Sequence, residues 1–288
     1  MEMRRMEDIH LRDPFILAVE DCYYLYGTRC GSQNAGFDGY TSTDLQWWTG
    51  PVPVFERPDH FWADRDFWAP EVHRYRDRYY MFATFKSEKH CRGTQILWAD
   101  SPLGPFLPLT DGPVTPADWE CLDGTLFLEN GRPYLVFCHE WLQVQDGEMC
   151  AMELTPDLRS AAGSPKVLFR ASEPAWASKG RDFYVTDGPF LYRKTDGTLL
   201  MLWSSGTETG YSEAISRSAS GSVLGPWIHE PELLISNGGG HGMVFRSFDN
   251  QRFFVCHKPN RDPLERPHLF PLLEPAGNCG CSLRLDLT

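Results

Sequence analysis

Nowhere in the 288 residues does an uninterrupted apolar run approach the roughly 18 to 20 residues that a membrane-spanning helix needs. The opening MEMRRMEDIHLRDPF also lacks the apolar stretch of a secretory signal. The expectation is therefore a soluble, cytoplasmic protein with no membrane partner. Positive charge is in deficit too: 27 Lys and Arg stand against 39 Asp and Glu, for a net charge of −12 and a pI near 5.2. Such a surface repels phosphate backbones and anionic lipid, so nucleic acid is not an expected partner. The nine cysteines form no CxxC pair that would supply zinc ligands. Their odd number and irregular spacing, with Cys279 and Cys281 the only close pair, fit reduced thiols better than a disulfide framework. Helical periodicity is missing as well.

What the chain does have is a repeat. Five times an acid- or turn-marked entry leads into an apolar strand, a polar turn and an aromatic strand: DPFILAVEDCYYLYGT from Asp13, APEVHRYRDRYYMFAT from Ala69, DGTLFLENGRPYLVFC from Asp123, DGPFLYRKTDGTLLMLWS from Asp187 and HGMVFRSFDNQRFFVCH from His241. The copies recur at intervals of 54 to 64 residues. Strand content at that period predicts an all-β fold, a five-bladed β-propeller occupying residues 1–288 as a single domain. Glu20-Asp21, Arg76-Asp77, Glu129-Asn130-Gly131, Thr195-Asp196-Gly197 and Asp249-Asn250 sit between the apolar runs as hairpin turns.

A smaller repeat supports the same architecture. ADSPLGPF at 99–106 and SGSVLGPW at 220–227 belong to the outer half of a blade, and TSTDLQWWTGP at 41–51 is the first-blade version with Trp48 in the aromatic slot. Gly238-Gly239-Gly240 is placed at the mouth of the channel, where glycine lets backbone crowd a narrow axis. The tail from Glu265, through ERPHLFPLLEP to SLRLDLT, is expected to close the ring by pairing with the first blade.

Equivalent positions of successive blades face the central axis, so Asp13, Asp123 and Asp187 are expected to converge from one shared slot. Taken singly, an Asp-Gly dipeptide is a turn signal anywhere, and strand-entry aspartates often cap backbone amides. A turn requirement would apply to all five copies, however, and the other two carry Ala69 and His241. Three converging carboxylates suit hydrolysis of a glycosidic bond with inversion. One activates water, one protonates the leaving oxygen, and a third beside the acid raises its pKa by like-charge repulsion.

RDPF at 12–15, FWAPEV at 67–72, LDGTLFLENGRPYLVF at 122–137, TDGPFL at 186–191 and GGHGMVFRSF at 239–248 together resemble the blade signatures of glycoside hydrolase family 43, the five-bladed arabinanases, arabinofuranosidases and β-xylosidases. The resemblance covers about residues 8–270 in order. It implies an inverting enzyme acting on α-L-arabinofuranosyl or β-D-xylosyl linkages of plant cell-wall oligosaccharides. Asp13 would be the general base, Asp123 the residue that tunes and orients the acid, and Asp187 the general acid. Most of the family has glutamate in that last position, a side chain longer by one C–C bond, so Glu173 in ASEPAW is a second candidate acid and Glu208 a third.

His241 resembles a central histidine that contacts water around a calcium or other ion in the channel, against the plainer reading of a histidine bonded to carbonyls in a crowded core. Arg266 resembles an arginine that reaches sugar and acid, with a surface salt bridge as its alternative. Trp68 is placed either as a stacking face for a sugar or in the core. No cofactor is required for the chemistry. Competing readings are a retaining fructosidase, a glycoside phosphorylase, or a propeller that only binds carbohydrate.

Overall fold

A computed structural model describes residues 2–31, 35–179, 182–275 and 281–286. The strands form five antiparallel sheets, and these are the blades of a β-propeller. Blade one comprises Leu11–Val19, Cys22–Arg29, Gly36–Ser42 and Trp47–Glu56, with Met3–Arg5 added to its outer edge. Blade two comprises Arg65–Tyr75, Arg78–Lys86, Gly93–Ala99 and Leu107–Pro108. Blade three comprises Cys121–Glu129, Arg132–His139, Glu148–Glu153 and Lys166–Arg170. Blade four comprises Asp187–Arg193, Leu199–Thr207, Gly210–Ser218 and Trp227–His229, and blade five Gly240–Arg246, Arg252–Lys258, Arg266–Leu273 and Arg284–Leu285.

The tail completes blade five rather than pairing with blade one: Leu272 and Leu273 pair with Leu285 and Arg284. The reason lies at the other terminus, where Met3, Arg4 and Arg5 already cover the outer edge of blade one by pairing with Thr49, Trp48 and Trp47. Cys279 lies outside the described residues, and the eight described cysteines are free thiols.

Second strands are packed by neighbouring blades on both faces, which is why they read as continuous apolar runs such as PYLVFC and LLMLWS instead of alternating. The seam between blades one and two is aromatic, with the Phe67 and Phe85 rings edge-on at 5.1 Å and Phe37 at 5.8 Å from Phe85. Between blades three and four, Trp203 is fully buried and packs on Phe169 at 5.1 Å. The aromatic slot of the smaller repeat is structural in each case: Trp48, Phe106 and Trp227 are all buried. One end of the axis is apolar, lined by Phe15, Val72, Leu126, Phe190 and Met243, one from each blade. Polar chemistry is at the other end.

Each first strand enters through the same irregularity. Pairing with the second strand breaks just after Arg12, Trp68, Leu122, Asp187 and Gly240, and the next residue adopts a left-handed φ: Asp13 51°, Ala69 46°, Asp123 55°, Gly188 48° and His241 51°. Holding a non-glycine residue there costs on the order of 1–3 kcal/mol, which the surrounding packing must sustain. This register corrects the shared-slot expectation. Asp13, Asp123 and His241 share a slot, but in blade four that slot is Gly188, and Asp187 stands one residue earlier, level with Arg12 and Trp68. Only glycine fits beside it, since a Cβ on Gly188 would lie 2.7 Å from the His241 ring.

The slot residues are fastened across the seams. Thr28 Oγ1 accepts the Ala69 N–H at 2.7 Å, Thr84 Oγ1 the Asp123 N–H at 2.9 Å, Ser204 Oγ the His241 N–H at 2.7 Å and His257 Nδ1 the Asp13 N–H at 3.3 Å. Each acceptor sits on the second strand of the preceding blade, with blade five preceding blade one. Side-chain hydrogen bonds thus run around the axis and close the ring where no strand is shared.

Candidate active site

The polar end of the axis opens into a cavity of about 650 Å3 lined by Asp13, Asp123, Asp187, His241, Trp68 and Arg12, among others. Its charged groups come from blade entries that the register above brings together.

Asp13 is buried. Its Oδ2 accepts a 2.6 Å hydrogen bond from Thr28 Oγ1, and its Oδ1 lies 3.2 Å from His241 Nδ1 and 4.0 Å from Arg12 Nε. Burial pushes its carboxyl up, but the His241 ring, the neighbouring His257 and the Arg12 guanidinium outweigh that and hold it well below the usual carboxylate range. This direction favours the ionised form of Asp13 at neutral pH.

The other two carboxyls behave in the opposite way. Burial pushes Asp123 up to about 6, helped by the charge of Asp13 and opposed by hydrogen bonds with Asp187 and the Gly188 N–H. That N–H reaches Asp123 Oδ2 at 3.0 Å. Asp187, partly open to the cavity, is raised well above its ordinary value by burial and then by the charge and hydrogen bond of Asp123. Tyr211 donates its hydroxyl to Asp187 Oδ2 at 2.7 Å, which favours the ionised form without reversing the shift. The two neighbouring carboxyls therefore titrate as a pair.

Trp68 lines the cavity with the Arg92 guanidinium 4.5 Å from its ring centroid. Arg92 is itself pinned by Asp66 Oδ2 at 2.8 Å and by Glu140. The remaining sequence candidates lie elsewhere. Glu173 follows the outermost strand of blade three, accepts from the Arg170 N–H at 2.8 Å, lies 3.7 Å from His229 Nε2 and does not line the cavity. Glu208 is in an exposed hairpin turn. Arg266 donates to the carbonyls of Pro263 and Glu265 at 3.3 and 2.7 Å, and the arginines on the cavity wall are Arg12, Arg29 and Arg92.

Sequence reasoning missed Thr28, Tyr211, His257 and Glu213. Thr28 and His257 are the last residues of two of the repeat copies and, with Thr84 and Ser204, carry hydrogen-bond acceptors at the same place, a signal that was available. Tyr211 and Glu213 come from a third strand and have none. Glu213 is fully buried. Its Oε2 accepts from Ser204 Oγ at 2.5 Å and from the Gly242 N–H at 3.2 Å, while Oε1 has no partner; burial raises the carboxyl to about 8.

Asp123, Asp187 and His241 place donor atoms within 4.8 Å of one another. Calcium takes six to eight oxygens, and one imidazole nitrogen with two carboxyls that share a proton does not suit its direct coordination. An ion here would be held through water.

Comparison with known proteins agrees with this geometry. The chain is 44% identical to an endo-arabinase from Bacteroides thetaiotaomicron VPI-5482, with a TM-score of 0.89 over 95% of this chain and 98% of that one. It shares the fold of an endo-1,4-beta-xylanase from the same organism (21% identity, TM-score 0.80, 100% and 97% covered) and of an alpha-L-arabinofuranosidase from Lactobacillus brevis (18%, 0.78, 97% and 94%). No curated protein matches at the significance required. The model of glycosyl hydrolases family 43 matches residues 8–275, a span that takes in all five blade entries and every acid in the cavity, and the chain belongs to that family.

Proposed function

We propose that this glycoside hydrolase cleaves α-L-arabinofuranosyl linkages in oligosaccharides derived from arabinan. The observation that carries the chemistry is the opposed displacement of two carboxyls in one cavity: Asp13 held well below the usual carboxylate range, and Asp187 raised well above it by burial and by Asp123. In the inverting reaction Asp13 takes a proton from water as that water attacks the anomeric carbon. Asp187 gives its proton to the departing glycosidic oxygen, and Asp123 keeps the proton in place until then. His241, Thr28 and Arg12 fix the base and keep it charged. A propeller that only binds sugar has no use for this division of states.

Arabinan is preferred to xylan because the relative at 44% identity is an endo-arabinase, whereas the xylanase resemblance is one of fold. The test is hydrolysis of arabino-oligosaccharides and xylo-oligosaccharides by the purified chain, with the configuration of the first product read by proton NMR. Inverted arabinose ends support the proposal. Turnover of xylo-oligosaccharides alone overturns the sugar assignment, and a retained configuration overturns the assigned roles.

A further inference from the structure

The seam between blades one and five holds a second polar cluster that the glycosidase chemistry does not use. The pairing of Leu11 with Arg29 sets His10 opposite Cys30 as the two strands run on past the ladder, and Glu265 arrives from the start of the third strand of blade five. The donor atoms of His10, Cys30 and Glu265 lie within 4.8 Å of one another. Glu265 has no solvent exposure. One of its oxygens accepts from Arg12 Nη1 at 3.0 Å, and the other has no hydrogen-bond partner among the described residues. His10 Nε2 is likewise buried without one among them, 3.8 Å from that second oxygen.

A buried carboxylate with half its acceptors unmet is costly, and an imidazole nitrogen facing it across 3.8 Å is too far to relieve it directly. A cation between them would satisfy both. We propose that His10 Nε2, Cys30 Sγ and Glu265 Oε2 bind a zinc ion that clasps blade one to blade five. One nitrogen, one sulfur and one oxygen form the mixed, borderline-soft set that suits zinc and not calcium or magnesium. Zinc distances of about 2.0–2.3 Å in tetrahedral geometry place ligands roughly 3.3–3.7 Å apart, so the site needs to tighten by up to about 1.5 Å.

The surroundings fit. The groups that act on the Cys30 thiol include three carboxyls, Glu265, Asp13 and Asp262, against the Arg12 guanidinium; a divalent ion would offset that excess of negative charge. The ion would also fix Glu265, whose other oxygen holds Arg12 beside Asp13, linking the clasp to the wall of the sugar cavity. Ligands 20 and 235 residues apart leave no spacing motif in the sequence.

The test uses the full chain without a histidine tag, stripped with a chelator and titrated with zinc chloride. Metal content after dialysis and the melting temperature are read for the native protein, Cys30→Ser, His10→Gln and His241→Gln, each checked for native circular dichroism. The expected result is one zinc per chain, a melting temperature raised by several degrees, and at least a tenfold loss of affinity in Cys30→Ser and His10→Gln but not in His241→Gln. Cobalt substitution should give a thiolate charge-transfer band that Cys30→Ser abolishes, which separates this thiol from the others. Failure to retain zinc, or retention unchanged in both cluster variants, overturns the proposal. Loss confined to His241→Gln would move the ion to the channel and overturn it equally.

Discussion

His257 Nδ1 accepts the backbone N–H of Asp13 across the seam between the last blade and the first, at 3.3 Å. The base is thus positioned by a residue 244 positions away, and the closure of the ring and the placement of the catalytic carboxylate are one interaction. Asp13→Asn keeps the side-chain volume and the backbone bond while removing the charge. Activity should fall by about 10² to 10⁴ or more with native circular dichroism retained. Near-normal turnover would remove Asp13 from the role of base.

In the proposed mechanism Asp187 gives its proton only to leaving groups that need one. Asp187→Asn should therefore slow hydrolysis of arabino-oligosaccharides by at least about 10² while an aryl arabinofuranoside with an acidic phenol loses far less. Parallel rate measurements on the two substrates decide the matter. Equal losses on both would assign Asp187 a positioning role and leave the proton donor to be found elsewhere.

The blade period, the turn dipeptides and the convergence of Asp13, Asp123 and Asp187 were legible in the sequence because each follows from local pattern. The one-residue error at blade four arose because Asp123-Gly124 and Asp187-Gly188 look alike as text. The fold aligns them by conformation, giving the left-handed position to Asp123 in one blade and Gly188 in the other. Arg266, expected at the sugar, is held instead by the carbonyls of Pro263 and Glu265, while Arg12 lines the cavity, and no sequence pattern reports that. Glu173, close to Asp187 in the chain, is carried to the outer edge by the strand that precedes it. Contacts from third strands, such as Tyr211 on Asp187, depend on register across two hairpins and leave no mark in a linear reading.

The pH profile separates the members of the site. Asp13 is held well below the usual carboxylate range, so any acid limb it contributes falls below that of an ordinary carboxyl. The proton shared by Asp187 and Asp123 is lost as pH rises, and kcat/KM should fall on the alkaline side. Tyr211 donates to the ionised form of Asp187 and lowers its pKa; Tyr211→Phe should move the alkaline limb up by about one unit. Asp123→Asn removes the neighbouring charge that raises Asp187, so its residual activity should show the limb moved down. Shifts in the same direction would contradict this arrangement.

Gly188→Ala tests whether the slot conformation is structural or merely tolerated. A φ of 48° and a Cβ 2.7 Å from the His241 ring leave alanine no relaxed position, and the His241 ring and backbone it would meet are not the end of a flexible chain. The variant should lose about 1–3 kcal/mol of stability. It should also lose most of its activity, because the Gly188 N–H orients Asp123 and the displaced ring contacts Asp13. A melting temperature within a degree of the native value with full activity would show that the entry can re-form around a side chain.

Glu213 makes a prediction about stability rather than rate. Its carboxyl rises from 4.5 to about 8 on folding, so between those values the folded state binds a proton that the unfolded state has released. Stability must then fall as pH rises through that window and level off above about 8. Glu213→Gln is neutral throughout and keeps an acceptor for Ser204 Oγ and the Gly242 N–H. Its melting temperature should exceed that of the native protein at pH 9 relative to pH 6 by at least about 2 °C. If the two proteins instead lose stability in parallel over this range, Glu213 is ionised in the fold, and a cation or buried water must face its second oxygen.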